Sequence, residues 1–500
     1  MSLVDDVRED KFEEGLDPNR WRALFVIAFA SLMVVLDASI VNIALPAAQK
    51  SLHISDVNRQ WVVTAYSLAF GALLLLGGRL ADFVGRKKIF IYGLGGFAIA
   101  SGLGGLSMNQ GELFAARAVQ GAFGAMLAPA ALSLINVTFK LPKERAKAFG
   151  VYGAVSGGGA AIGLIVGGLL TEYANWRWCL GVNVFFAIFA IGLAIPYIHE
   201  SKAKGDRHYD IPGTILATLG LVSLVYGFSQ AGSKGWHSVD SWGFFIIAAI
   251  LLVGFVIWEN KTTTPLLPMR IVLEINRGGT YLASFIVGVG LFAVFLFLSI
   301  YFQSFLHYSA LKSGFAFLPF SGGIIIFAGV AAQLLPKVGP RPLLVAGLAI
   351  AGVGMVFFSR LSIHSNYWID IFPVMLVTAS SLALYFIPSA STGLHDAGEH
   401  DTGIASAVLN TSQQVGGSLG AALLNTVSVS VGAHFFASHY SAANPKGKDL
   451  SIAQAVSAVH GFDRAFLVGA GFLFLASIIC AFMIKVGKDS LVEHEGSAVI

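Results

Sequence analysis

Charge is what this sequence has least of: of 500 residues, 12% are Asp, Glu, Lys or Arg, while 56% are hydrophobic. Soluble domains carry about 25% charged residues, so a water-soluble enzyme or nucleic-acid-binding protein is excluded by composition. Cysteine is nearly missing as well. Cys179 and Cys480 stand in separate apolar runs, which leaves no disulfide framework and suggests neither redox chemistry nor a thiolate metal site. No GxxxxGK[ST] loop is present, so direct use of ATP is not supported, and no nucleophile–base–acid set is visible. The first 20 residues are rich in acids (Asp5, Asp6, Glu9, Asp10, Glu13, Glu14, Asp17) and lack the short apolar core of a cleavable signal peptide. The first apolar run is therefore expected to be retained.

Long apolar runs fill the space that charge leaves. They recur at 21–45, 60–80, 88–107, 112–137, 147–171, 178–198, 211–230, 241–258, 279–302, 313–335, 342–359, 368–388, 404–433 and 464–484. Since about 20 residues of helix cross a bilayer, they predict an all-α membrane protein with fourteen spans. The 57 glycines suit close packing of membrane helices. Lys and Arg concentrate in alternate loops, most densely at Arg79, Arg86, Lys87 and Lys88, which places both termini in the cytoplasm. The net charge of +4 follows this topology rather than a nucleic-acid patch.

Asp37, near the middle of the first run, is the residue that composition does not explain. An aspartate at the centre of a spanning helix costs about 2.5 to 3.5 kcal/mol on insertion scales, so it calls for a partner, a water-lined cavity or a proton-carrying role. Counting at 1.5 Å per residue from the nearer helix ends brings Asp37 and Arg117 to within about 5 Å of the same depth. They can pair or exchange a partner. The duller alternative is a structural buried ion pair that never releases the carboxylate to a proton.

An internal repeat accompanies the pair. Gly78-Arg79-Leu80-Ala81-Asp82-Phe83-Val84-Gly85-Arg86-Lys87-Lys88 joins spans 2 and 3, and Ala332 to Pro342, with Val338-Gly339 before Arg341, joins spans 10 and 11. A shift of eight spans makes spans 1–6 recur as spans 9–14. The expected division is a tail at 1–20, a six-helix half at 21–200, two inserted helices with their loops at 201–278, a second half at 279–486, and a tail at 487–500. Repeated halves with a site between them are how secondary transporters obtain alternating access.

Four motifs of the first half resemble those of the major facilitator superfamily, in its fourteen-span drug:proton antiporter branch. Leu36-Asp37 through Asn42 to Ala44-Leu45-Pro46 is similar to the branch's first-span motif, and Gly78 to Lys88 to the superfamily's loop motif. Leu113 to Gly124, with Arg117, Gln120 and Gly121, resembles the fourth-span motif. Gly159 to Gly168 resembles the antiporter motif, with Leu164 where that motif has proline. Asn410 to Gly417 resembles the branch's thirteenth span. The resemblance implies the major facilitator fold and proton-coupled export of lipophilic neutral or monocationic compounds across the cytoplasmic membrane by a monomer, with no cofactor and no enzymatic activity. Proton-linked export of one metabolite, such as an antibiotic, amino acid or siderophore, is the alternative, and a non-transporting sensor is a third reading.

On this reading, Asp37 and Arg117 couple protons, while Gly78, Asp82, Gly85, Arg86 and Lys87 form a gating loop in which Asp82 meets a helix N-terminus or a facing arginine. Gly159, Gly163, Gly167 and Gly168 make a packing stripe expected at the sliding contact between the halves. Asn42, Gln60, Trp61, Thr64, Tyr66, Gln120, Asn410, Gln413 and Gln414 are candidates to line a substrate cavity, although aromatic residues in such helices more often pack. The cluster His395, Asp396, Glu399, His400, Asp401 has metal-ligand residue types but reads as solvated loop charge, and Asn444 to Lys448 as a turn in a polar loop.

Overall fold

Fourteen helical crossings run back and forth across the molecule in a computed structural model that describes residues 17–202, 210–263, 265–394, 402–440 and 445–487. They are α1 (Arg20–Ser51), α2 (Trp61–Val84), α3 (Arg86–Gly105), α4 (Gln110–Thr138), α5 (Pro142–Tyr173), α6 (Trp178–Tyr197), α7 (Ile211–Lys234) and α8 (Val239–Glu259). After a single turn, α9 (Met269–Val272), follow α10 (Ile275–Ser304), α11 (Ala310–Ala316), α12 (Leu318–Val338), α13 (Pro340–Phe358), α14 (Phe372–Gly393), α15 (Thr402–His439) and α16 (Lys448–Met483). Segments α11 and α12 form one crossing, broken at Phe317 just ahead of Pro319. Thirteen of the crossings are long and apolar enough to span a membrane; in α5 the described apolar part is Gly158–Tyr173. The protein is a multi-pass, all-helical membrane protein. The charged cluster at 395–401, read above as solvated loop charge, lies outside the described residues, as does Asn444.

The repeat is visible in the packing. In the first half α2 packs on α4, α3 on α4 and α6, and α1 on α5 and α6; eight spans later α12 packs on α14, α13 on α14 and α16, and α10 on α15 and α16. At equivalent junctions Gly85 (φ +128°) and Gly339 (φ +84°) take the left-handed backbone that glycine tolerates, each just ahead of a new helix. The inserted hairpin α7–α8 leans on α2 and α15 through α7, while α8 turns mostly outward.

The largest difference from the expected boundaries is at the start of the last helix. The segment from His434 to Arg464 is mostly helix, since α15 runs to His439 and α16 starts at Lys448. Polar residues such as Lys448, Asp449 and His460 lower the local hydropathy without breaking a helix, so an apolar run marks the membrane-buried part and not the whole element.

The halves touch through α2 with α15, α5 with α11 and α12, and α1 with α10. Among the described residues, the hydrogen bonds that join them all lie away from the end where α1 begins and α16 finishes, which we call the terminal end. Arg59 Nε donates to Asn425 Oδ1 (3.1 Å) and Asn425 Nδ2 to the Asp56 carbonyl (2.8 Å). Ser299 donates to the Asn42 carbonyl (2.6 Å), Gln303 to that of Ile43 (3.0 Å), and the Leu311 amide to Glu172 (2.9 Å). Ser418 donates to Ser67 at 2.9 Å. The bundle is bolted at this far end.

Candidate functional site: a buried carboxylate network in the first half

Asp37 sits in the middle of α1 and is fully buried, as is Arg117 on α4. Arg117 Nη1 donates to Asp37 Oδ2 at 2.7 Å, while Oδ1 accepts from Gln120 Nε2 (2.8 Å) and Asn183 Nδ2 (2.7 Å). Three donors from two helices thus surround one carboxylate. Arg117 is itself held by the Val62 carbonyl through Nε (2.9 Å) and by Gln120 Oε1, with its guanidinium carbon 4.4 Å from the centre of the Tyr66 ring. Ser101 on α3 accepts from both Gln120 (3.0 Å) and Asn183 (2.9 Å) and donates to the Leu180 carbonyl. Four helices of the first half, α1, α3, α4 and α6, meet at this point, together with the start of α2.

The network is not saturated. Arg117 Nη2 and Asn183 Oδ1 are buried without a hydrogen-bond partner. A cavity of about 10 Å³ lined by Val41, Leu45, Val62, Leu113 and Trp176 abuts Arg117 on its far-end side. A carboxylate in charge-assisted contact with a guanidinium, next to unspent donor and acceptor capacity, has a second bonding arrangement within reach.

Asp37, Arg117 and Gln120 stand in recognisable motifs, whereas Asn183 and Ser101 do not. An isolated asparagine in the otherwise apolar Trp178–Tyr197 helix was the available signal, because an amide there needs a partner.

The glycine stripe divides between two partners. A Cβ on Gly159 would meet Leu32 and Val35, on Gly163 it would lie 2.0 Å from Ser39 Oγ and 2.8 Å from the Leu36 carbonyl, and on Gly167 it would meet Ile40. These three press α5 onto α1 inside the first half, around Asp37, rather than forming the expected sliding contact. Only Gly168 faces the other half, with a Cβ position 2.6 Å from Leu311 Cα, beside Leu164, whose carbonyl approaches Gly314. Gly163→Val is expected to lower unfolding stability in detergent by about 1–3 kcal/mol, the usual cost of overpacking.

In the loop motif, Asp82 pairs with Arg86 one turn on, at 2.8 Å, and not with a helix N-terminus. The acid that caps α3 is Glu200, which accepts from the Lys87 and Lys88 amides (3.2 and 3.3 Å) and crowds Gly85. Lys87 Nζ donates to the Ile195 carbonyl, and Gly78 lies beside Pro129.

The cavity candidates scatter. Tyr66 and Gln120 belong to the Asp37 network, and Trp61 donates to Ser229 on α7 (3.1 Å). Gln60 is fully buried at the far-end bolt against Ala421, Ala422 and Asn425, with Asn42 beside α10 through its carbonyl. Thr64 is buried with an unpartnered hydroxyl. Asn410 is exposed, and Gln413 and Gln414 are half-buried along the contacts of α15 with α10 and α2.

Residues 27–421 match the family model described as Major Facilitator Superfamily. The chain belongs to this superfamily. Among curated relatives, this facilitator is 44% identical to the puromycin resistance protein pur8 of Streptomyces alboniger, over 97% of this chain and 95% of that one. It is 35% identical to the cephamycin export protein CmcT of Amycolatopsis lactamdurans, over 81% and 84% of the two chains. Its fold also resembles the solved structure of a bacterial homologue of the human lysosomal transporter Spinster, described as inward-facing and unoccupied, with a TM-score of 0.65 at 15% identity over 96% of this chain and 99% of that one. The facilitator family and fold are those of transporters rather than enzymes.

Proposed function

We propose that this facilitator is a proton-coupled exporter of lipophilic neutral or monocationic small molecules, acting as a monomer in the cytoplasmic membrane with both termini inside. Names of relatives as resistance and export proteins support the efflux reading. The observation that carries the coupling is the buried Asp37–Arg117 contact at 2.7 Å, placed five residues before the carbonyl of Asn42 that Ser299 bolts to the other half.

Arrival of a proton on Asp37 turns an acceptor oxygen into a donor, and the Arg117 contact is lost. Arg117 keeps the Val62 carbonyl, Gln120 and the Tyr66 face, so it stays on α4, while α1 is left with only the neutral contacts of Asp37 Oδ1 to Gln120 and Asn183. The bolt lies about 7.5 Å further along α1, at 1.5 Å per residue, and moves with that helix. Because Asp37 is fully buried among protein donors, substrate and proton compete through the position of α1 rather than by touching the same oxygen in this conformation. With the termini inside, hydrogen bonds between the halves at the far end are those an inward-facing state would carry, the state in which a cytoplasmic substrate would load. Gly85, Asp82 and Arg86 act as a latch that forms between the halves when the terminal end closes.

One antibiotic or a narrow group of them, rather than many drugs, is a second reading, favoured by relatives named for single compounds. A substrate screen in energised inside-out vesicles separates the two: wild-type vesicles are expected to lose their pH gradient on addition of several unrelated lipophilic compounds, or of one chemical class on the second reading. Dissipation by no compound would overturn both.

A further inference from the structure

A second pair of acids lies at the terminal foot of the inserted hairpin, outside the Asp37 network. Asp210 precedes α7 and Glu259 ends α8, and both are more than nine-tenths buried. One oxygen of each is spoken for. Asp210 Oδ1 accepts from the Gly213 amide (2.8 Å) and the Trp258 indole (2.7 Å), and Glu259 Oε2 from the Leu267 amide (3.0 Å). The other two, Asp210 Oδ2 and Glu259 Oε1, are buried with no hydrogen-bond partner. They converge, since a Cβ on Gly213 would lie 2.4 Å from Oδ2 and 2.9 Å from Oε1. Two acceptor-only oxygens buried against one point cannot both belong to ionised groups without uncompensated like charge.

The surroundings offer no counter-ion among the described residues. Helix α7 contributes the Gly213 amide and the Thr214 hydroxyl, which donates to the Asp210 carbonyl; α8 contributes the Trp258 indole, and the connector after α8 the Leu267 amide. The charged group acting on Glu259 is Asp210. Arg79, which reaches this connector from α2, donates to the Pro265 carbonyl at 3.1 Å instead.

We propose that Asp210 and Glu259 are a second proton-binding site, holding one proton between Oδ2 and Oε1. A single proton supplies the missing donor, neutralises one of the two charges and lets each oxygen serve the other. It pins the foot of α7 to α8 and, through Leu267 and Pro265, to Arg79 of the loop motif. Loss of this proton as pH rises on the terminal side loosens the connector from that motif, independently of Asp37.

Infrared difference spectroscopy of the full chain in nanodiscs, in an Asp37→Asn background, tests this. At neutral pH the parent is expected to show the band of a protonated carboxylic acid that both Glu259→Gln and Asp210→Asn remove, since either amide can donate to the remaining carboxylate. A band unchanged by both substitutions, or absent from the parent, would overturn the proposal. So would a band removed by added sodium at constant pH, which would make the pair a cation site. If one variant fails to fold, the pH dependence of thermal unfolding decides: stability of the protein with both acids is expected to fall as pH rises through the site's titration, because the folded state binds a proton that the unfolded state gives up more readily. A flat profile would contradict the site.

Discussion

Arg117→Ala is expected to cost about 3–5 kcal/mol of stability, the usual range when one partner is removed from a buried ion pair. The side chain is fully buried and carries four interactions at once: Asp37, Gln120, the Val62 carbonyl and the Tyr66 ring. Its removal strands Asp37 and leaves a cavity where α1, α2 and α4 meet. Asp37 then either holds an uncompensated buried charge or takes a proton and gives up the contact. Arg117→Lys should recover only part of the loss, since a single ammonium cannot reach Asp37 and Val62 with the planar geometry of a guanidinium. A double change to Asp37→Asn with Arg117→Gln should be milder than Arg117→Ala, because no lone charge remains. Thermal unfolding of the purified variants in one detergent measures all three, and an Arg117→Ala protein within about 1 kcal/mol of wild type would show that the pair bears little of the packing.

Asp37→Asn carries the largest functional effect. With one proton exchanged per neutral substrate, each pH unit supplies about 1.4 kcal/mol, or a tenfold gradient. Each 100 mV adds about 2.3 kcal/mol for the charge moved. Asparagine preserves the shape and can still bond Arg117 through its Oδ1, so the fold and facilitated exchange should survive. What should disappear is concentration against a gradient: vesicles bearing this variant are expected to equilibrate substrate to a ratio of one at any imposed pH difference. Retention of proton-driven accumulation would move coupling elsewhere, and the Asp210–Glu259 pair is the next place to look.

The sequence made the architecture legible because spans are written in apolar length and the repeat in loop chemistry. It also made the Asp37–Arg117 contact legible, because depth along a helix is simple arithmetic at 1.5 Å per residue. Direction around a helix is harder to read. The stripe Gly159, Gly163, Gly167 announces close approach without saying to what, and the partner is α1 rather than the second half. Asn183 and Ser101 join the network because α6 and α3 present them to α1, which depends on packing between helices far apart in sequence. Chain reversals hide partners in the same way: Glu200 caps α3 only because the end of α6 returns to it, and Asp210 meets Glu259 only because α7 and α8 form a hairpin.

The central claim is that Asp37 exchanges a proton for each cycle of export, and proton flux in proteoliposomes measures it most directly. With a pH-sensitive dye inside and a substrate gradient but no imposed pH gradient, wild-type protein should acidify or alkalinise the lumen in proportion to substrate moved, and Asp37→Asn should move substrate with no pH change. A wild-type protein that moves substrate without proton flux, or an Asp37→Asn protein that still carries protons in proportion, would contradict the account.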